Sequence, residues 1–222
     1  MSYIGFPPLP DSFESKLSYV YDPQIAVKAL KDADTKLARM IDRIGPYRLR
    51  DRSAMTPFQA LLQSIVYQQL SGRAAGSIHA RVQALFPRKR PTAKHLLAIS
   101  DDSLRGAGLS RGKVLAVRNL AKRCVDGSVP SRVRLKKLDD EDIIQHLVQV
   151  RGIGRWTVEM LLIFNLGRPD VLPVDDLGVR RGFMHTFGGK TLPDAKKMLR
   201  RGERWRPYRS VASWYLWRAS EL

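Results

Sequence analysis

The stretch LVQVRGIGRWTVEML, from Leu147 to Leu161, decides the fold because it places a sharp turn between two apolar helical segments. Two glycines, Gly152 and Gly154, flank Ile153 in this turn, whereas a plain turn between helices needs one glycine at most. Glycine has no Cβ, so another backbone or a phosphate can approach its amide closely, and the start of a helix favours anions. The turn is therefore either a phosphate-contacting hairpin or a plain connection with a C-terminal glycine cap.

The charge of the chain favours phosphate contact. Its 222 residues include 39 Lys and Arg against 21 Asp and Glu, which leaves a net charge of +18. A surplus of this size destabilises a compact chain by self-repulsion, so we expect a polyanionic partner such as nucleic acid. A generally basic surface is the alternative. We expect no membrane partner, because no long basic amphipathic helix or lipidation signal is present.

The single cysteine, Cys124, excludes an internal disulfide and any zinc or iron–sulfur site built from cysteines alone. The four histidines lack metal-ligand spacing, so no metal site is predicted. The first residues carry no secretory signal, and the longest apolar run, Met160–Phe164, is too short to span a bilayer. We expect an intracellular protein, in the cytoplasm or nucleoid of a bacterium or the nucleus of a eukaryote.

Helical periodicity runs through most of the chain, and strand signals are nearly absent. The plainest helix start is Thr56–Gln59, with a capping threonine, a proline at the first helical position and a glutamine that completes a capping box. Ser110 and Asp139 are expected to cap two more helices, and another follows Gly72. Further helices are expected over 24–44, 176–187, 193–204 and 207–220. The sequence predicts an all-α protein of roughly ten short helices.

Five motifs then occur in order along the chain. They are Gln68-Gln69-Leu70-Ser71, Gly108-Leu109-Ser110 with Lys113, Val150–Thr157, Leu172–Gly178 and Arg204–Ser210. Together they resemble the helix–hairpin–helix (HhH-GPD) DNA glycosylases, and among them the AlkA-type 3-methyladenine DNA glycosylase II branch. The resemblance runs from about Thr56 to Trp217. It implies one glycosylase domain over 1–222, with two helical subdomains that flank a cleft. One subdomain is 56–160, which includes most of the hairpin motif at 139–166, and the other is 1–55 with 167–222.

The resemblance implies a catalytic aspartate after the hairpin, and both Asp175 and Asp176 qualify. The family pattern, a proline, two residues and then Asp-Leu-Gly, selects Asp176 when counted from Pro173. The family also places a basic residue five positions later, here Arg181, among the residues implied to contact DNA. A carboxylate there would stabilise the oxocarbenium-like sugar left by the departing base and orient or deprotonate the attacking water. The alternative is that Asp175 or Asp176 only caps the next helix.

Trp156 decides which reaction the resemblance implies. Family members that also cut the DNA backbone carry a lysine at this position, where it forms a Schiff base, so we expect a monofunctional enzyme here. A flipped, cationic alkylated base stacked on Trp156 would gain cation–π attraction of roughly 0.5–2 kcal/mol. Trp217 matches a second pocket aromatic of the family, and Tyr67 and Trp214 are weaker candidates. Core packing is the alternative for all four.

Further DNA contacts are implied at the hairpin and at the turn after the first long helix. That turn is expected to fill the gap left by the flipped base, with Gln69 as first choice. The implied DNA-contacting residues are Gly152, Gly154, Arg155, Thr157, Gln69, Leu70, Ser71 and Arg181. The turn from Gly108 to Lys113 either adds a phosphate contact or only joins two helices.

These inferences predict a base-excision-repair glycosylase that hydrolyses the N-glycosidic bond of bases such as 3-methyladenine and 7-methylguanine in duplex DNA. It is expected to flip the base, leave an abasic site, act as a monomer and require no cofactor. The hairpin carbonyls of this fold can hold a monovalent cation. Two alternatives remain: a non-catalytic helix–hairpin–helix protein that binds or recognises damaged DNA, and a glycosylase for oxidised or mismatched bases.

Overall fold

A computed structural model describes residues 20–49 and 54–222. Within these ranges there are thirteen α-helices and no strand, which confirms the predicted all-α class. The helices are α1 Pro23–Ala33, α2 Thr35–Ile44, α3 Pro57–Tyr67, α4 Gly72–Ala84, α5 Ala93–Ala98, α6 Asp101–Gly106, α7 Arg111–Val125, α8 Arg132–Leu135, α9 Asp140–Leu147, α10 Arg155–Leu161, α11 Leu177–Phe187, α12 Ala195–Gly202 and α13 Arg209–Ala219. The count exceeds the predicted ten partly because α5, α6 and α8 are only four to six residues long. None of the helices in the described ranges has both the length and the apolar character needed to cross a membrane.

The chain divides into two compact units. Of the described residues, the contiguous unit comprises 54–161, and the split unit comprises 20–49 with 162–222. The split unit opens its second segment with a π-helical turn, Leu162–Leu166. The assignment of both units to one glycosylase domain stays a prediction.

Helix α3 is the centre of the contiguous unit. It packs against α4, α7 and α10, and nearly all of its residues are buried. Its predicted capping box is confirmed: Thr56 Oγ1 accepts from the Gln59 backbone N–H at 3.3 Å, and Gln59 Oε1 accepts from the Thr56 N–H at 2.9 Å. A helix that is apolar on all sides belongs inside a bundle, so α3 supplies the core that its neighbours cover.

The other two predicted caps have different outcomes. Ser110 caps α7 as expected, because its Oγ accepts from the Lys113 N–H at 3.3 Å. Asp139 occupies the predicted cap position of α9, but its side chain makes no capping hydrogen bond, so the position is confirmed and the side-chain cap is not. The first turn of α9 carries three acidic residues of its own, and their charges stabilise the positive end of the helix dipole without a cap bond.

In the split unit, the segment predicted as one helical region over 24–44 forms two helices that break at Asp34. This residue has extended backbone, and its carboxylate caps α2 by accepting from the Lys36 and Leu37 N–H groups. Arg201 also donates two hydrogen bonds of 2.8 Å to the same carboxylate. Burial by itself would raise the pKa of Asp34, but the bonds from Arg201 and Trp205 outweigh it and hold that pKa below its usual value.

Helices α11 and α13 form the closest helix pair of the split unit. Gly182 of α11 faces the backbone of Leu216 in α13, and a Cβ at position 182 would collide with the Leu216 carbonyl. The absence of a side chain therefore lets the two helices pack backbone to backbone. This close packing brings the side chains of α13 to the start of α11.

Candidate active site

Asp176 caps α11 and is held by two hydrogen bonds. Its Oδ1 accepts from the backbone N–H of Val179 and from the indole N–H of Trp217, both at 2.8 Å. Asp176 is 7% exposed, whereas Asp175 is exposed and does not cap the helix. Of the two aspartates, Asp176 alone therefore has a fixed orientation, and it both caps α11 and bonds to the indole.

Gly178 explains how the indole of Trp217 reaches this carboxylate. A Cβ at position 178 would lie 2.8 Å from Trp217 Cδ1, closer than real Cβ contacts allow, and 3.2 Å from Asp176 Oδ1, tighter than most of them. The glycine of the Asp-Leu-Gly motif is therefore needed for the contact between the tryptophan and the aspartate.

The segment that leads to Asp176 is tied to α13 through Ser210. The Ser210 Oγ donates to the Arg168 carbonyl at 2.7 Å and accepts from the Val171 N–H at 2.9 Å. The Ser210 N–H also donates to the carbonyl of Pro169 at 2.8 Å. Because buried backbone groups need partners, these bonds fix the irregular segment without a strand or helix. Helix α13 thus positions Asp176 through both its indole and its serine.

Trp217 lies in the core beside the carboxylate. It is only 2% exposed, its N–H is bonded to Asp176, and its ring stacks on Phe164 at a centroid distance of 5.6 Å and an angle of 27°. Phe164 lies in the π-helical turn, which sequence periodicity did not reveal. The structure therefore gives Trp217 a positioning role toward the carboxylate, and its predicted stacking on a flipped base stays a prediction.

Two weaker pocket candidates lie in the hydrophobic core. Trp214 is buried in edge-on contact with Tyr47 and Tyr215, at centroid distances of 5.0 and 4.9 Å. Tyr67 is buried in edge-on contact with His79 at 5.9 Å. For both residues this burial agrees with the alternative of core packing, and the pocket role stays a prediction.

The two hairpin glycines of the contiguous unit have different surroundings. Gly152 has a φ of +80°, in the left-handed region that favours glycine, so the turn itself requires it. Gly154 has no such φ, and a Cβ added there would meet no atom within 4 Å. A plain connection between helices therefore requires a glycine at position 152 but not at position 154. No contact or backbone conformation of the described residues requires the second glycine.

The hairpin is supported from both sides. The carbonyl of Gly152 accepts from Gln68 Nε2 at 2.8 Å, and the Arg151 N–H donates to Asn119 Oδ1 at 2.9 Å. The side chain of Ile153 is buried, as expected for an anchor. Gln68 belongs to a recognised motif but was not selected as a site residue. Its side chain connects the turn after α3 to the hairpin.

The residues that follow the hairpin divide into exposed and buried positions. Arg155 is exposed and pairs with Glu141 at 2.6 Å, and the pair holds the pKa of Glu141 at about 2, with a smaller effect from Gln145. Arg155 also pairs with the buried Glu159 at 3.3 Å. The exposed pair with Glu141 is weak, so a phosphate can compete with Glu141 for Arg155. Trp156 is half-buried. Thr157 is 4% exposed, and its predicted DNA contact stays a prediction.

The turn between α3 and α4 has the exposure expected of a residue that enters the duplex. Gln69, Leu70 and Ser71 are all exposed, and Gln69 adopts a φ of 58°, which is unfavourable for a residue with a side chain. Ser71 also caps α4 through the Ala74 N–H. Arg181, the remaining predicted DNA contact, is half-buried on α11. The roles of these residues in DNA binding stay predictions.

Lys113 hydrogen-bonds to backbone carbonyls at the C-terminal end of α3, next to this turn. Its Nζ donates to the carbonyls of Val66 and Gln68 at 2.7 and 2.8 Å, and burial lowers the pKa of its ammonium group. With its donors directed at backbone carbonyls, Lys113 supports the turn. The Gly108–Lys113 segment therefore acts as a helix connection, and the structure does not favour the alternative of a phosphate contact through Lys113.

Comparison with known proteins agrees with these motifs. The family model for the HhH-GPD superfamily base excision DNA repair protein matches residues 62–207. DNA-3-methyladenine glycosylase 1 of Schizosaccharomyces pombe is 33% identical over 195 residues, which cover 87% of this chain and 86% of that protein. The structure of S. pombe 3-methyladenine DNA glycosylase in complex with abasic DNA gives a TM-score of 0.81 at 32% identity, covering 89% of this chain and 97% of that one.

A DNA-3-methyladenine glycosidase from Bacillus halodurans also gives a TM-score of 0.81, at 36% identity, with 88% of each chain covered. The family match extends over more than half of the sequence and includes the hairpin, Asp176 and Gly178. The chain therefore belongs to the HhH-GPD superfamily of base excision DNA repair proteins.

Proposed function

We propose that this protein is a monofunctional DNA glycosylase that releases alkylated purines, such as 3-methyladenine and 7-methylguanine, from duplex DNA. The observation that carries the proposal is the buried carboxylate of Asp176, which Trp217 and Val179 hold in one orientation. Capping α11 requires only the bond from Val179, so the second bond, from an indole, has no purpose in capping. Relatives named as 3-methyladenine glycosylases support the substrate class.

The proposed chemistry is hydrolysis of the bond between C1′ of the deoxyribose and the purine nitrogen. The bonding electrons leave with the base, and positive charge develops on the sugar. Asp176 stabilises that charge and orients the water that adds at C1′, with loss of a proton to solvent. An N-alkylated purine is already cationic and leaves as a neutral base, so no strong general acid is needed.

Substrate binding is assigned to the contiguous unit. Gly154 leaves space for a DNA phosphate to approach the hairpin backbone. The positively charged Arg155 can release its ion pair with Glu141 and bind a phosphate instead. Trp156 offers an indole for the flipped base, and Gln69 on its exposed turn fills the gap left in the duplex. Strong dependence of binding on salt is expected from the charge of +18.

Absence of strand cleavage is proposed from the residue at position 156. A tryptophan cannot form the Schiff base through which lysine-bearing family members cut the backbone. The product is then an intact strand with an abasic site. The protein is expected to work as a monomer, without a required cofactor, in the compartment that holds the chromosome. A monovalent cation at the hairpin stays a prediction, and no step above depends on it.

The test is a product analysis on a duplex that contains a single 7-methylguanine. We expect free 7-methylguanine by chromatography, with an intact strand that breaks only after alkali. Strand cleavage without alkali would contradict the monofunctional assignment. Retained DNA binding without release from either 7-methylguanine or 3-methyladenine would instead favour the damage-recognition alternative.

A further inference from the structure

A basic pocket lies in the split unit, where the end of α11 faces α12 and the turn that follows it. The cavity has a volume of about 270 Å³, and four cationic side chains line it: Lys197, Arg200, Arg201 and Arg204. Their spacing of three and four residues puts them on one side of α12 and its extension. Like charges at this spacing destabilise a helix, so their clustering calls for a compensating ligand.

Arg201 forms the fixed wall of this pocket. Its guanidinium donates two hydrogen bonds of 2.8 Å to Asp34, which is almost fully buried, and lies 3.8 Å from the ring centroid of Phe187. Asp34 is itself fixed as the cap of α2 and accepts from the Trp205 indole N–H at 3.2 Å. The positive charge of Arg201 is thus neutralised by the buried carboxylate of Asp34.

The other three cations are not balanced. Within residues 20–49 and 54–222, no carboxylate lies within ion-pair distance of Lys197, Arg200 or Arg204, and their side chains donate no hydrogen bond. The nearby Glu203 pairs with Arg206 and Arg209. The pocket therefore holds a fixed guanidinium surrounded by three exposed, uncompensated positive charges.

The pocket lies at the opposite end of α11 from Asp176. Asp176 caps the first turn of this eleven-residue helix, and Phe187 is its last residue. At a rise of 1.5 Å per residue, the two ends are about 16 Å apart, or roughly five base-pair steps of duplex DNA. A ligand of this pocket is therefore separate from the reacting sugar.

The chemistry of the walls indicates a phosphate backbone as the ligand. The two aromatic side chains that line the pocket, Phe183 and Phe187, are only 2% and 9% exposed, so they offer little open surface to a base. A cavity of about 270 Å³ is at the small end of ligand pockets and suits a phosphate group better than a whole nucleotide. Lys197 and Arg204 are about 10 Å apart along the helix, which spans about three steps of one strand.

We propose that this pocket is a second, sequence-independent DNA site, which binds backbone phosphates of duplex DNA away from the lesion. It rests on the proposed function for the position of the lesion at Asp176. Phosphates there displace no protein carboxylate, because Arg201 keeps its bond to Asp34 while the other three cations bind. The site adds affinity and salt dependence without touching the base.

The test is the salt dependence of binding to undamaged duplexes. The pocket variant combines Lys197→Gln, Arg200→Gln and Arg204→Gln, and the control combines Lys94→Gln, Lys122→Gln and Lys137→Gln, which removes three exposed lysines of the contiguous unit. On a 30-base-pair duplex, losing three phosphate contacts is expected to reduce the slope of log K against log salt by about 2.7. The control is expected to change it by less than one unit. Melting temperatures of both variants establish that they fold.

Three results would overturn the proposal. Equal slopes in the two variants would mean that only net charge matters. An equal loss on a duplex too short to span the distance from Asp176 to the pocket would place the contacts next to the reacting sugar. An unchanged DNA slope, with loss of the thermal stabilisation that inorganic phosphate gives the wild type, would make free phosphate the ligand. The pocket variant should release base at the wild-type rate in single turnovers at saturating enzyme. Absence of base release in every protein, wild type included, would contradict the proposed function but not the second DNA site.

Discussion

The carboxylate site and the hairpin differ in what accounts for their residues. Around Asp176, contacts within the protein account for the residue types. Trp217 bonds to the carboxylate, Gly178 leaves room for the indole, and Ser210 hydrogen-bonds to the segment that precedes Asp176. At the hairpin the protein leaves Gly154 facing open space.

The turn beside the hairpin shows the same feature. Gln69 is exposed in a left-handed conformation that the turn requires, because the Leu70 N–H closes it on the Tyr67 carbonyl at 3.4 Å. That conformation favours glycine and costs about 1–2 kcal/mol in a residue with a side chain, so the turn does not explain why a glutamine stands there. The comparison suggests how the two proposed functions depend on the fold. The residues proposed for the chemistry are held by contacts inside the protein, whereas the residue types at the positions proposed for DNA binding are explained only by a ligand outside the protein.

The largest expected effect is on the chemistry of the carboxylate. Asp176→Asn keeps the size and capping ability of the side chain but removes its charge, so the single-turnover rate of base release should fall about 100- to 1000-fold. Asp175→Asn is the matched control, because its exposed side chain does not cap α11, and it should act like the wild type. A wild-type rate in Asp176→Asn, with the loss confined to Asp175→Asn, would mean that the motif had identified the wrong aspartate.

Next in size is the positioning of that carboxylate. Trp217→Phe removes a hydrogen bond to a charged group, worth about 1.5–3 kcal/mol, so the rate should fall at least about tenfold while DNA affinity is unchanged. Trp205→Phe is the matched control, since Trp205 is equally buried and donates its N–H to another aspartate, Asp34. Both changes should lower the melting temperature, but only the first should slow base release. If Trp205→Phe slowed it equally, the effect would be general destabilisation.

The two hairpin glycines sharpen the comparison directly. Gly154→Ala should leave stability unchanged and weaken duplex binding about tenfold, because its Cβ meets only the approaching DNA. Gly152→Ala should destabilise the protein by about 1 kcal/mol, because alanine is strained at a φ of +80°. Thermal unfolding and a binding titration separate the two. Tight DNA binding by Gly154→Ala would leave the second glycine unexplained.

The smallest effect is expected in the turn that follows α3. Gln69→Gly relieves the unfavourable backbone conformation, so stability should stay constant or rise by up to about 1 kcal/mol. Base release from a fully paired lesion should nevertheless slow about three- to tenfold, because nothing fills the gap in the duplex. A lesion in single-stranded DNA, which needs no flipping, serves as the control and should react at the wild-type rate. Equal slowing on both substrates would refute the gap-filling role.

Local signals in the sequence predicted much of the fold. The cap, proline and glutamine of Thr56–Gln59 specify the start of α3 within four residues, and they were confirmed. The break between α1 and α2 could not be predicted in the same way. It depends on Asp34, whose partner Arg201 is 167 residues away.

The candidate site shows the same limit. The motif pointed to Asp176 by counting, but it gave no sign that Trp217 bonds to the carboxylate, because that contact joins residues 41 positions apart through packed helices. The resemblance suggested that the aromatic residues bind the base, whereas burial favours a core role for Tyr67 and Trp214. The turn from Gly108 to Lys113 left phosphate contact and helix connection both open, and in the structure Lys113 supports a helix end. Residue type indicates what a side chain can do, and only its neighbours select among those roles.

One measurement tests the division between chemistry and binding most directly. The dissociation constant and the single-turnover rate at saturating enzyme would be measured for Asp176→Asn and Gly154→Ala on the same duplex with one 7-methylguanine. Asp176→Asn should lose rate and keep its affinity, whereas Gly154→Ala should lose affinity and keep its rate. If both substitutions changed the same quantity, the carboxylate site and the hairpin would not have the separate roles assigned to them.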